Sequence, residues 1–318
     1  MTMTSTDVLD VRAKARRAVR RRRTAYITYL ILGMLLFFVI WEWFASSISP
    51  LLFLMDDPQT FMPRPWNTIT HFVQNFLFSE GLQSRYITQA CPDLASERIA
   101  DIPDICFGYV LHLAETTKNI LIGAALGTIL GLSMGLGSLV FPKIAEVVTP
   151  VASFFGTAPI FIAAPFFVIW FGIEIPLLTT IGLITFYTTL LMYFFSRRAA
   201  ENIPVGIVES ALTLGGTPRS IFRWVYLRGT VPEIAGGFRI ALAGAWGLGA
   251  LVEVLGPQLG GGFLIRIWSF LMGTFGAAEA LVSLTVFLGV LAVVVDGLLV
   301  LGIRFITRWS ESGRRLGL

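Results

Sequence analysis

Residues 209–232 read ESALTLGGTPRSIFRWVYLRGTVP, the only long polar and basic interruption between apolar runs that still carries the signals of ordered structure. Around its start, apolar residues at 205, 207, 208, 211, 212 and 214 fall at helical spacing, and Gly215-Gly216 supplies the φ > 0 freedom that ends a helix. Thr217-Pro218 then starts another, with Thr at the N-cap and Pro at the first helical position. Ile221, Phe222, Trp224, Val225 and Leu227 follow, with Arg219, Arg223 and Arg228 between them. The stretch predicts a helix, a tight turn and a second helix held between two apolar spans, which is the form of a docking surface.

Outward from this hairpin the chain is apolar. Hydrophobic residues make up 55% and charged residues 14%, well under the roughly 25% of soluble domains. Its 26 phenylalanines exceed what one soluble core of this size hides. Eight Lys/Arg crowd between Arg12 and Arg23, directly before an apolar run from Ala25 to Ile48 that is long enough to span a bilayer and lacks a small-residue cleavage site. The expectation is a basic cytoplasmic tail over 1–24, a retained first helix over 25–48 and, by the positive-inside rule, an extracytoplasmic segment over 49–110. That segment contains an amphipathic helical pattern from Trp66 to Phe78. It also holds both cysteines, Cys91 and Cys106, which are read as a disulfide or as unpaired thiols. No metal site is expected, because two thiols and the two histidines, His71 and His112, do not complete a ligand set.

Five further spans are expected within 111–305. Leu113 to Leu136 carries Gly123, Gly127, Gly131 and Gly135 at four-residue intervals, a ridge that lets helix backbones approach closely. The third span follows Pro142 and contains Pro150, Pro159 and Pro165, so its backbone is interrupted at membrane depth and belongs against protein or water. Gly156, Thr157, Pro159 and Pro165 are therefore the candidate translocation path, with a kink needed only for packing as the alternative. The fourth span runs from Pro176 to Phe195 and ends at Arg197-Arg198, which places the hairpin, within 199–230, on the cytoplasmic side. The fifth runs from Pro232 to Leu255 and carries Glu253, a carboxylate that is costly there unless solvated or paired. It is read either as a contact on the path at the outer mouth or as a structural hydrogen-bonding group. The sixth runs from Ala277 to Ile303 with Asp296 inside it, and a cytoplasmic tail over 306–318 closes the chain.

At the hairpin, Glu209-Ser210-Ala211, then Gly215, then Val225-Tyr226-Leu227 resembles the EAA loop of permease subunits of binding-protein-dependent ABC importers. Where that pattern ends in Leu-Pro, this chain has Leu227-Arg228, and a proline follows at Pro232. Further similarity lies in Met62-Pro63-Arg64-Pro65, in Pro159 and Pro165 with Trp170-Phe171-Gly172, in Phe238-Arg239-Ile240-Ala241, and in Glu253 with Gly260-Gly261-Gly262-Phe263. Together these resemble the nitrate, sulfonate and taurine permease branch.

The resemblance implies an all-α membrane protein with about six transmembrane helices and the type I ABC importer, MetI-like, permease fold, in a bacterial inner or plasma membrane with both termini cytoplasmic. It implies as partners two copies of an ATPase subunit, a second permease that is the same chain or a homologue, an extracytoplasmic solute-binding protein and the lipid bilayer. Glu209, Ser210, Ala211, Gly215, Gly216, Arg219 and Arg223 would form the ATPase-coupling surface. The solute would be a nitrate-, sulfonate- or taurine-like anion or another small organic molecule. None of Lys14, Lys118 and Lys143 sits in a P-loop, so no cofactor is expected on this chain, and ATP and Mg belong to the partner ATPase. Hydrolase and dinucleotide motifs are absent, an enzymatic role is not expected, and no nucleic-acid partner is implied. The rival reading is a secondary carrier driven by an ion gradient and using Glu253 and Asp296, although no internal repeat is visible.

Overall fold

The spacing of four glycines sets the central contact of the fold. In a computed structural model that describes residues 5–47, 63–76, 108–171, 176–256, 259–271 and 277–306, Gly123, Gly127, Gly131 and Gly135 lie along one face of α3 (Tyr109–Val140) against α6 (Pro176–Glu201). The two helices run parallel, since Gly123 meets Ile184, Gly127 meets Thr188, Gly131 meets Met192 and Gly135 meets Ser196. A Cβ at Gly127 would stand 2.6 Å from the Thr185 carbonyl oxygen, and one at Gly131 would stand 2.6 Å from that of Thr189. Only glycine permits this approach. The seam is then laced by α6 side chains, with Thr185 Oγ1 donating to Gly123 O at 3.3 Å and Ser196 Oγ to Gly131 O at 3.4 Å.

Around that pair stand α1 (Ser5–Ser47), α2 (Pro65–Gln74), α4 (Pro142–Thr157), a 3₁₀ turn (Ile160–Ile162), α5 (Ala163–Phe171), α7 (Val205–Thr213), α8 (Pro218–Ile221), α9 (Leu227–Leu255), α10 (Gly261–Phe270) and α11 (Ala277–Ile306). Five helices among the described residues are long and apolar enough to cross a membrane, and the pair 142–157 and 160–171, bent by 90°, has the composition of a broken span or a re-entrant loop. The break falls at Ala158-Pro159, as the proline content of this span requires. Helix α9 packs on α3 and α6, and Ile120, Ala124, Ile184, Leu242, Ala245 and Trp246 form the buried centre. A second apolar cluster joins α2, α3, α10 and α11 through Phe72, Tyr109, Leu264, Trp268 and Leu284.

Several boundaries differ from the sequence reading. The first apolar span, Ile27–Ser47, falls within the expected 25–48, and helix α1 begins earlier, at Ser5, so the basic segment before the span is helical as well. Its Ala, Arg and Lys content is that of a good helix former. The fifth span does not begin at Pro232. One apolar helical unit runs from Pro218 to Leu255, with a π-helical turn at Phe222–Tyr226 and Pro232 inside α9. A π turn holds a residue beyond regular α spacing; it ends six residues before Pro232, and the helix runs on through both. Helix α10, between the fifth and sixth spans, was not anticipated as an element, because its glycine-rich start reads as loop. The amphipathic helix expected from Trp66 is present as α2. Cys91 and Cys106 lie outside the described residues.

Candidate functional site

The hairpin is closed by backbone chemistry specific to its glycines. Gly215 has φ +83°, the Gly216 N–H donates to Ala211 O at 2.9 Å, and the Gly215 N–H donates to Leu212 O at 2.9 Å. This paired 6→1 and 5→2 pattern satisfies the last carbonyls of α7 and reverses the chain. Gly216 has its own reason, since a Cβ there would be 2.5 Å from Ala211 O. Thr217 then caps α8, its Oγ1 accepting from the Ser220 N–H at 3.3 Å with Pro218 at the first helical position.

What the hairpin presents is apolar surface with cations beside it. Leu214 is 89% exposed, and Val205, Ile207, Leu212 and Trp224 are also open. Glu209, Ser210, Gly215, Arg219 and Arg223 are exposed, while Ala211 and Gly216 are half-buried at the closure. The Arg228 guanidinium lies 4.1 Å from the centre of the Trp224 ring and that of Arg223 5.7 Å, so two cations flank one exposed indole. Arg228, which stands where the resemblance expects proline, is thus a packing partner of Trp224.

The proline break lies on an open face. Gly156, Thr157, Pro159 and Pro165 are all exposed, as are Phe154, Phe161 and Trp170. The Thr157 hydroxyl donates back to Ser153 O at 3.1 Å and covers one carbonyl near the end of α4.

Glu253 is placed elsewhere. It is fully buried, at 0% exposure, at the far end of α9, where Oε2 accepts from Thr116 Oγ1 at 2.6 Å and from the Gly262 N–H at 3.1 Å. Thr116 Oγ1 also accepts from the Gly261 N–H at 2.8 Å, and His112 Nδ1 accepts from the Gly260 N–H at 3.1 Å. Three successive amides at the start of α10 are therefore received by α3 and α9 side chains. Glu253 thus ties three helices together and faces no open surface among the described residues. The glycines are required here, since Gly260 has φ +130° and a Cβ on it would meet the carboxylate at 2.5 Å.

A second tie joins α9 to α11. Arg239 Nε donates to Asp296 Oδ1 at 2.8 Å and Nη2 to Oδ2 at 2.6 Å, a two-pronged pair. The sequence carried a signal for it, two opposite charges inside apolar spans, but not the register that brings them together. A third network, Thr149, Tyr193 and Arg197, links α4 to α6, with 2.6 Å between the first two hydroxyls. Lys118 pairs with Glu115 at 2.6 Å on the surface, and Glu42 lies 3.7 Å from Arg64.

Comparison with known proteins agrees with this architecture. The family model described as binding-protein-dependent transport system inner membrane component matches residues 127–307, more than half of the chain. The taurine transport system permease protein TauC of Escherichia coli (strain K12) is 25% identical over 199 residues, 62% of this chain and 68% of that protein. The formylaminopyrimidine transport permease protein ThiX of Halalkalibacterium halodurans is 29% identical over 159 residues, 50% of this chain and 62% of that protein. Among solved structures, a chain of the MetNI methionine ABC transporter in an inward-facing conformation is similar in fold, with a TM-score of 0.50 at 20% identity, covering 59% of this chain and 91% of that one.

Proposed function

The chain belongs to the family of binding-protein-dependent transport system inner membrane components, and on that premise we propose how it works as an importer subunit. It is a multi-pass permease of the type I ABC importer fold, a transport component and not an enzyme, whose ATPase is a separate subunit. Our reading is that two permeases, this chain twice or this chain with a homologue, assemble with two copies of the ATPase, which alone holds ATP and Mg. An external binding protein delivers the solute. Both termini and the α7–α8 hairpin face the cytoplasm. Relatives named for taurine and formylaminopyrimidine transport support a small organic solute, the anionic sulfonates foremost.

The observation that carries the reading is the hairpin itself. Its glycine closure leaves Leu214 at 89% exposure at the head of a continuous apolar helical unit, Pro218–Leu255. Closure of the ATPase pair on ATP moves the hairpin. The helical unit carries that displacement to Arg239 at mid-course and to Glu253 at its far end, where α11 and α10 are tied to it. Differential contact of the ATPase with two arrangements of the helices tips the equilibrium between inward- and outward-open states. Glu209, Ser210 and Ala211 shape α7, Gly215 and Gly216 close it, and Arg219 and Arg223 meet acidic groups of the ATPase.

Reconstitution tests this. In proteoliposomes holding the chain with its ATPase and binding protein, uptake of taurine should require internal ATP and persist when ion gradients are collapsed. Uptake that follows an ion gradient without ATP would give the function to a secondary carrier.

A further inference from the structure

An open groove of about 970 Å³, within the range of small-molecule sites, lies neither at the proline break nor at Glu253 but toward the hairpin end of the bundle. Phe195 and Arg198 of α6, Glu233, Gly236 and Arg239 of α9, and Asp296 of α11 line it. From α-helical rise, Asp296 sits about 10 Å inside the end of the apolar span at Ile303. An ion pair at that depth belongs to a bundle interior or a wet cavity. This one is not sealed, because the Arg239 and Asp296 side chains are 34% and 37% exposed.

The donor count gives the groove its chemistry. Both Asp296 oxygens are engaged by Nε and Nη2 of Arg239, which leaves Nη1 without a partner among the described residues. Arg198 is exposed and makes no ion pair there either, while Glu233 already accepts from Asn202 Nδ2 at 2.8 Å. The floor is backbone, since a Cβ at Gly236 would meet nothing within 4 Å. The formal charges of the lining cancel, Arg198 and Arg239 against Glu233 and Asp296, but Nη1 of Arg239 and the Arg198 guanidinium are donors left over an open floor for the oxygens of an anion.

We propose that this groove is the solute vestibule on the hairpin side, and that Arg239, oriented by Asp296, and Arg198 receive the oxyanion head group of an organic solute, a sulfonate or a carboxylate. The inference rests on the importer reading above and moves the polar contacts of the path from the proline break to α6, α9 and α11.

The test uses the assembled importer in inverted membrane vesicles with Ala243→Cys, an exposed position on the groove wall. Thiol labelling is counted as the excess over the parent chain, whose cysteines are Cys91 and Cys106. Two methanethiosulfonates are compared, one carrying a sulfonate and one a trimethylammonium group. The sulfonate reagent should react faster relative to its rate with free thiol, and Arg198→Gln or Arg239→Gln should each lower the sulfonate-to-ammonium ratio by at least about threefold. Taurine should slow the sulfonate reaction. A ratio unchanged by both variants, or no labelling by either reagent because lipid or a second permease fills the groove, overturns the proposal. Arg198→Gln removes no ion pair among the described residues, so it reports even if Arg239→Gln fails to assemble. ATP-dependent taurine uptake is scored separately in the proteoliposomes described above, with the ATPase inside and the binding protein outside: uptake with an indifferent groove sinks this inference alone, and uptake that follows an ion gradient without ATP sinks the importer reading.

Discussion

The Thr116 hydroxyl donates to Glu253 Oε2 at 2.6 Å, a bond inside the bundle between the start of α3 and the end of α9. The same carboxylate oxygen takes the Gly262 N–H, so removing it strands that buried amide, while the Thr116 hydroxyl keeps the His112 carbonyl oxygen at 3.1 Å. A stranded donor costs about 1–3 kcal/mol. Glu253→Leu should lower the melting temperature of the purified complex by several degrees, while Glu253→Gln, which keeps an acceptor, should lose less than half as much. Equal losses would show that the oxygen acceptor is unimportant.

Gly127→Leu and Gly131→Leu should prevent assembly, because a Cβ at either position meets the α6 backbone at 2.6 Å. Gly247→Ala on α9, where a Cβ meets nothing within 4 Å, should assemble in the isolated chain. Size-exclusion profiles in detergent distinguish the two classes. Normal assembly of Gly131→Leu would contradict the parallel α3–α6 seam.

Gly215→Pro should uncouple ATP hydrolysis from transport while leaving membrane insertion intact. Proline fixes φ near −65°, far from +83°, and removes the N–H that bonds Leu212 O. Gly215→Ala keeps the N–H and pays about 1–2 kcal/mol for the left-handed conformation, so it should retain partial coupling. The check is uptake per ATP hydrolysed; full transport by Gly215→Pro would refute the role given to the turn.

His71 of α2 packs edge-on against Trp268 of α10, and its Nδ1 lies 2.9 Å from the Tyr109 hydroxyl. Burial lowers its pKa from 6.5 to about 4, so the folded protein holds the ring neutral. An unfolded chain takes up this proton between pH 6.5 and 4 while the folded one does not. The His71 contribution to stability is therefore fully present above pH 6.5 and is lost as the pH falls toward 4. Melting of the complex from pH 7.5 to 4.5 should show this loss, and His71→Phe should reduce the slope. An identical slope in both proteins would remove His71 from the account.

Much of this organisation is legible in residue patterns that act locally. The glycine ladder of α3, the prolines of the broken third span, and the Gly-Gly-Thr-Pro turn each impose a backbone geometry wherever they stand, so they read correctly without a fold. Pro232 misleads for the same reason, because local chemistry says stop while the helix runs through it from Leu227 to Leu255. Glu253, His112 and Gly260–Gly262 are far apart in the chain, and nothing in a single sequence shows that the three amides meet those side chains. Arg239 and Asp296 are visible separately as charges in apolar spans, but their pairing depends on the register of α9 against α11. The groove they share is invisible in the sequence for that reason.

Affinity purification from gently solubilised native membranes tests the central claim most directly. The tagged chain should bring down a P-loop ATPase in stoichiometric amount, and Leu214→Asp or a Glu209→Ala/Gly215→Pro double variant should lose it while the chain itself remains folded and membrane-inserted. Recovery of the intact chain alone or only with itself, or an ATPase retained undiminished by both hairpin variants, would contradict the account.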